Sequence, residues 1–253
     1  MDSNAIQQAA ITLASRRLAG QPGPLLAAAH APATLQDALA IQQAVSNLLG
    51  NGIGGWKCGM PSDERLVLAP IYASTISHGD TCQAWVRDGV VRVEPELAFV
   101  FAEGLPPRAT AYSREEILAA VSSVHLALEL IDSRFDAETK PPFLQALADG
   151  LVNQGLHLGP AVPLAAALAA SSLPVRVQQG ERDALLAGVH PAGDPLAPLL
   201  WLVGHLQQQG QGMLPGQAVI TGSYAGVVQL QPGQQATLGF GELGQLMVSC
   251  QPR

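Results

Sequence analysis

Val93-Glu94-Pro95-Glu96-Leu97-Ala98-Phe99 is the stretch on which the fold turns. Short apolar runs flank it, Val90-Val91-Arg92-Val93 before and Leu97-Ala98-Phe99-Val100-Phe101 after, and both read as strands. In an extended chain successive side chains point to opposite faces, so Glu94 and Glu96 point one way while Val93, Pro95 and Leu97 point into a core. The two carboxylates then face one spot about 7 Å apart along the strand. Like charges so placed repel, and solvent, an Arg or Lys partner, or a divalent cation relieves them. A solvated acidic edge is the plainer reading. The apolar flanks and the scarcity of acids in this chain weigh against it.

Further along, Val124, Leu126, Leu128 and Leu130 alternate with His125, Ala127, Glu129 and Ile131, which predicts a strand with Glu129 and His125 on one face. Ser113-Arg114-Glu115-Glu116 matches a capping box and opens a helix to about Ser122. An unpaired carboxylate at Glu129 is expensive to bury in so apolar a run. Two remedies stand open: a structural ion pair with Asp132-Ser133-Arg134, or a metal shared with Glu94 and Glu96. Three carboxylates with no His or Cys pattern are hard oxygen ligands that suit Mg²⁺ or Mn²⁺, leaving about three octahedral positions for water and a chelating substrate.

Around this centre the chain divides. Ala5 to Arg17 and Leu35 to Leu49 carry helical apolar spacing, Thr34 is the N-cap of the second, and Gln21 to Pro24 separates them. Residues 1–52 read as a helical N-terminal region and 53–253 as a β-rich catalytic core, together one compact α+β unit. Asp149 to Leu158 reads as a glycine-punctuated loop and Pro163 to Ala170 as a short helix or a transition. Leu196 to Gln208 reads as a helix with Pro195 and Pro198 in its first turn. The remainder resembles strands and tight turns.

Composition narrows the class of function. In 253 residues, 48% are hydrophobic and 13% charged, which excludes disorder. Thirteen basic residues against 20 acidic give −7 and argue against a nucleic-acid partner. Cys58, Cys82 and Cys250 are odd in number and lack C-x-x-C spacing, which fits a reduced compartment. With an acid at Asp2, Arg16-Arg17 across any apolar segment and no run of about 18 apolar residues, the expectation is a cytoplasmic chain with no membrane partner. G-x-S-x-G and the P-loop are absent, and Gly239, Gly241 and Gly244 precede no helix, which removes a dinucleotide fold. Only Lys57 and Lys140 are lysines. Lys57 sits among Gly54, Gly55 and Gly59, so its ammonium meets an anionic substrate or transfers a proton with a lowered pKa, unless it is a surface lysine in a turn. Val219-Ile220-Thr221-Gly222-Ser223 places two hydroxyls and a glycine amide beyond an apolar strand, which suits a carboxylate, although taken alone it is an ordinary turn.

Lys57 in G-W-K-x-G, the acids in R-V-E-P-E-L-A-F-V, A-L-E-L-I-D-S-R ending at Arg134, T-G-S at Thr221 to Ser223 and A-I-Q at Ala40 to Gln42 occur in order from about Leu35 to the C-terminus. Together they resemble the 2-oxopent-4-enoate (2-hydroxypentadienoate) hydratase and 4-oxalocrotonate decarboxylase family, of the fumarylacetoacetate hydrolase superfamily. The resemblance implies an N-terminal helical region packed on a mixed β-roll core of the fumarylacetoacetate hydrolase C-terminal type, assembled as a homo-oligomer. It implies a Mg²⁺ or Mn²⁺ site with Glu94, Glu96 and Glu129 as ligands and Lys57 as the catalytic acid/base group or the holder of the substrate anion. Thr221, Gly222 and Ser223 would take the carboxylate, and Arg134 or Arg65 a second one. The activity implied is a hydro-lyase on a short, anionic 2-hydroxy-dienoic or 2-oxo-enoic acid. The alternatives are a decarboxylase of a vinylogous 2-oxo diacid, an acylpyruvate-type C–C hydrolase and a catalytically silent assembly subunit.

The chain also departs from the family pattern. Met60-Pro61-Ser62-Asp63-Glu64 stands where a Leu-Thr or Leu-Ser usually follows the lysine motif, and Ala148-Asp149-Gly150-Leu151-Val152-Asn153 stands where A-D-N-A-S is common. No H-x-x-E pair lies between Lys57 and Glu94, which disfavours C–C hydrolysis.

Overall fold

The computed structural model describes residues 1–62 and 65–253; Asp63 and Glu64, in the segment that departs from the family pattern, lie outside the described residues. Caps and apolar spacing set the two N-terminal helices. α1 (Ser3–Ala19) opens on Asp2, whose carboxylate accepts from the Ala5 N–H, and α2 (Leu35–Leu49) opens on a capping box of Thr34 and Asp37. They pack through Ala9, Leu13, Ala38, Ile41 and Val45 against Phe135 and Leu147 of the following core.

The rest runs β1 (Ile53–Cys58), β2 (Leu68–Tyr72), β3 (Ile76–His78), β4 (Thr81–Ala84), β5 (Val91–Phe101), α3 (Arg114–Ala120), β6 (Val121–Ile131), α4 (Phe143–Ala148), β7 (Asn153–Val162), α5 (Leu164–Ala169), β8 (Val175–Gln179), β9 (Arg182–Leu186), α6 (Ala197–Gln208), β10 (Ala218–Ile220), β11 (Val228–Leu230), β12 (Gln235–Phe240) and β13 (Gln245–Pro252). Among the described residues these strands form two mixed sheets. One is eight-stranded in the order β2-β1-β10-β5-β6-β7-β3 with β11 also on β5, and the other is β4-β13-β12-β8-β9. β1 with β10, β3 with β7 and β4 with β13 are parallel; the other pairs are antiparallel. The fold is therefore the expected α+β arrangement of N-terminal helices on a β core.

Alternation along the two long central strands decides what faces where. Val93, Leu97 and Phe99 of β5 and Val124, Leu126, Leu128 and Leu130 of β6 join Val177, Leu238 and Val248 of the second sheet in the main core. Each such fully buried side chain stabilises the fold by about 1.5–3 kcal/mol. The opposite face of the same strands carries Glu94, Glu96 and Glu129 beside the small residues Ala98, Ala127 and Ala218. The pattern in Val93 to Phe99 thus positions the acids by burying their neighbours.

Two expectations change. α3 ends at Ala120, short of Ser122, because Val121 already enters β6. Most of the expected loop from Asp149 to Leu158 is strand β7, and its glycines mark close approaches: a Cβ at Gly155 would stand 2.5 Å from the Thr75 carbonyl oxygen. Among the described residues no helix is long and apolar enough to cross a membrane.

Candidate metal and substrate site

Glu94 on β5 lies directly opposite Glu129 on β6, and Glu96 lies opposite Ala127, so the three acids form one patch across two strands. Each offers a carboxylate oxygen within 4.8 Å of the others. Glu129 is fully buried and Glu96 nearly so. Burial, followed by the charge of Glu129, pushes Glu94 up to about 7 and Glu96 well above the usual carboxylate range.

One cation answers them. Lys57 reaches from β1 to place Nζ 2.7 Å from Glu129 Oε1, and it also donates to the Leu151 carbonyl at 3.3 Å. Burial draws the Lys57 ammonium down, but Glu129 and then Glu96 and Glu94 outweigh it and hold the pKa above its ordinary value. The expectation of a lowered lysine pKa is corrected: three carboxylates keep this amine charged. Asn153 Nδ2 donates to the same Oε1 at 2.9 Å. Glu129 Oε1 is thus engaged twice, while Oε2 is buried with no partner among the described residues.

That orphaned oxygen is the test of fit for a cation. A buried acceptor without a donor is costly, and a surplus of acids over bases at one point adds repulsion. Three hard oxygen donors of this kind, with no sulfur or imidazole among them, suit Mg²⁺ or Mn²⁺. Glu94, Glu96 and Glu129 fit the group.

A cavity of about 390 Å³ opens over the patch. Lys57, Glu94 and Glu96 line it together with Thr221, Gly222 and Ser223, and its apolar lining includes Met60, Val67, Pro191 and Ala192. The T-G-S turn reaches the cavity as expected, but its donors are already engaged. The Gly222 N–H donates to Glu96 Oε2 at 2.7 Å, Ser223 Oγ donates to the Pro95 carbonyl at 3.3 Å, and Thr221 Oγ1 lies 3.3 Å from His190 Nε2. Gly222 has φ 139°, and a Cβ there would stand 2.5 Å from Pro191 Cγ, so only glycine brings its amide onto Glu96. The turn orients one carboxylate of the patch.

Arg134 is not in the cavity. It is 3% exposed and its Nε donates to both oxygens of Asp149 at 2.7 and 2.8 Å. A buried guanidinium needs a counter-charge, and Asp149 supplies it, which corrects the expectation that Arg134 meets the substrate or compensates Glu129. Arg65 also lies outside the lining, with its guanidinium 5.9 Å from the Phe143 ring centroid. His125 hydrogen-bonds the Gly159 carbonyl and Ser123 Oγ and takes no part. Asn153 was visible only as a displaced asparagine in the sequence; its contact with Glu129 depends on the turn before β7.

No protein-family model matches the chain. A curated relative, the 2-oxo-hept-4-ene-1,7-dioate hydratase of Escherichia coli, is 30% identical over 239 residues, covering 86% of each chain. The chain belongs to the 2-oxopent-4-enoate hydratase and 4-oxalocrotonate decarboxylase family. Within this family a 4-oxalocrotonate decarboxylase of a Pseudomonas species is 28% identical over 210 residues, 77% of each chain. The fold matches that of the 4-oxalocrotonate decarboxylase of Pseudomonas putida G7, a structure complexed with magnesium and adipate, at a TM-score of 0.79 and 19% identity over 99% of this chain and 98% of that one.

Proposed function

We propose that this family member is a divalent-metal-dependent hydro-lyase that hydrates a short 2-hydroxy-dienoic or 2-oxo-enoic acid, with Glu94, Glu96 and Glu129 holding Mg²⁺ or Mn²⁺. The observation that carries this reading is the unpaired Glu129 Oε2 beside two further carboxylates, with Lys57 confined to the other oxygen. The hydratase relative and the magnesium in the related decarboxylase structure support it.

When bound, the cation supplies Lewis-acid polarisation of the substrate's 2-oxygen and neutralises the charge that develops there. The chain does the rest. Gly222 fixes Glu96 by its amide, Asn153 and Lys57 fix Glu129, and Lys57 holds a proton at Nζ on the cavity wall. Hydration adds a proton and a hydroxyl across a carbon–carbon double bond, so a charged amine in the cavity is placed to give that proton or to meet the substrate carboxylate. Met60, Val67, Pro191 and Ala192 offer an apolar wall to a hydrocarbon tail, and Lys57 is the one cation lining the cavity among the described residues. That lining favours a monocarboxylate over a diacid. The decarboxylase relative favours decarboxylation as a second reading. A cytoplasmic homo-oligomer belongs to the same proposal.

The test is turnover of 2-hydroxypenta-2,4-dienoate, followed by loss of its ultraviolet absorbance. The expected result is turnover that EDTA abolishes and Mn²⁺ restores. Release of CO₂ from 4-oxalocrotonate without hydration of the dienoate establishes the decarboxylase instead. A metal-loaded protein inert toward both, and toward the 2-oxo-hept-4-ene-1,7-dioate of the hydratase relative, favours a silent subunit.

A further inference from the structure

The turn between α4 and β7 is left-handed for three residues running: Gly150, Leu151 and Val152 have φ of 85°, 52° and 61°. Glycine adopts this freely, but leucine and above all β-branched valine do not, and such backbone persists where its surroundings over-determine it. The surroundings here include Arg17, in the last turn of α1. Its Nη2 donates to the Asp149 carbonyl and its Nη1 to the Asn153 carbonyl, both at 2.8 Å, so one planar guanidinium holds both ends of the turn.

Between those ends the turn aims two groups at the acidic patch. The Leu151 carbonyl accepts from Lys57, and the Asn153 amide donates to Glu129 Oε1. Arg17 itself has no hydrogen bond or ion pair to Glu94, Glu96, Glu129 or Lys57 among the described residues; its ion-pair partner is Asp149, at 3.9 Å, and Asp132 also lies near enough to act on its charge. Its placement is not an economical way to gain stability, because the side chain is largely buried and Nε has no partner. Burial, reinforced by the Arg134 charge, lowers its pKa to about 10.

We propose that Arg17 is a positioning residue of the metal site. By clamping the turn it keeps Lys57 and Asn153 on Glu129 Oε1 and so leaves Oε2 free for the cation, which makes the N-terminal helix a working part of the core's chemistry. The inference rests on the reading of Glu94, Glu96 and Glu129 as a cation site.

The test measures Mn²⁺ affinity without substrate, by the electron paramagnetic resonance signal of free Mn²⁺, alongside thermal unfolding. The variants are Arg17→Met, Arg17→Lys and, as a comparator, Leu13→Ala, which opens the helical layer on the same α1. Loss of a partner bonded directly to a metal ligand weakens binding roughly 10–100-fold; Arg17 acts one contact further out, so Arg17→Met should weaken Mn²⁺ binding by up to about tenfold, with Arg17→Lys between it and the wild type. Leu13→Ala should lower the unfolding midpoint and keep Mn²⁺ affinity within about twofold. Wild-type affinity in folded Arg17→Met, equal weakening in Leu13→Ala, or unfolding of both Arg17 variants overturns the proposal. A wild type that binds no Mn²⁺, or binding indifferent to Glu129→Gln, overturns the site reading itself.

Discussion

Two buried polar clusters meet the turn from Asp149 to Asn153. In one, Arg134 donates to both carboxylate oxygens of Asp149 and through Nη1 to the Asp132 carbonyl, and Asp132 in turn pairs with Arg87 at 2.7 Å. Every charge there has an opposite charge against it. In the other, Glu94, Glu96 and Glu129 share a single lysine, and a fully buried oxygen has no donor. The difference separates a cluster built to hold the fold from one built to hold something else. Completed networks rigidify a core, whereas an incomplete one raises the free energy of the empty protein until a ligand completes it.

Breaking the complete cluster should have the largest effect on stability. Arg134→Met strips buried Asp149 of its bidentate partner and leaves it only Arg17, at 3.9 Å, so a loss of about 3 kcal/mol is expected in urea unfolding. Breaking the incomplete cluster should have the opposite sign. Glu96→Gln replaces a carboxyl whose ionised form burial and Glu129 oppose with a neutral amide whose oxygen still accepts from the Gly222 N–H, so the metal-free protein should gain about 1 kcal/mol and lose its hold on Mn²⁺. A destabilised, metal-free Glu96→Gln protein would make the two clusters alike.

Acid should expose a third, unrelated burial. His157 is fully buried, and burial followed by the His78 charge lowers its pKa to about 4. Its folded pKa lies below the unfolded value of about 6.5, so the unfolded chain binds the extra proton between those values. Its share of stability is therefore present above about pH 6.5 and declines as pH falls toward 4. The raised carboxyls of Glu94 and Glu96 act with the opposite sign in that window, so the readout is a difference: acid should cost the wild type more, or help it less, in urea midpoint than it does His157→Gln. The smallest effect belongs to the exposed Arg176–Asp183 pair, where Arg176→Ala should leave the urea midpoint indistinguishable from the wild type.

The acids were legible because their signal is local. A period-two pattern in Val93 to Phe99 and again in Val124 to Ile131 states which side chains share a face, and register on adjacent strands then brings Glu94 against Glu129. Lys57 stood out by scarcity. What compensates which charge was not legible, because it depends on curling of the sheet and on one turn. The expected neighbour of Glu129, Arg134, is only five residues away in sequence yet spends its guanidinium on Asp149, while Lys57 arrives from β1 and Asn153 from the start of β7. Gly155 suggested a loop and is instead a close approach within a strand, of the Thr75 carbonyl. The donors of Thr221 to Ser223 pointed to the substrate; the fold turns the Gly222 amide onto Glu96.

The central claim is that the incomplete cluster is a cation site. Its most direct test is anomalous scattering from a crystal of the protein soaked in Mn²⁺, compared with Glu129→Gln treated identically. The account predicts one strong peak bounded by Glu94, Glu96 and Glu129 in the wild type and its loss in the variant. A wild-type crystal with no peak there, or a variant with an equal one, would contradict it.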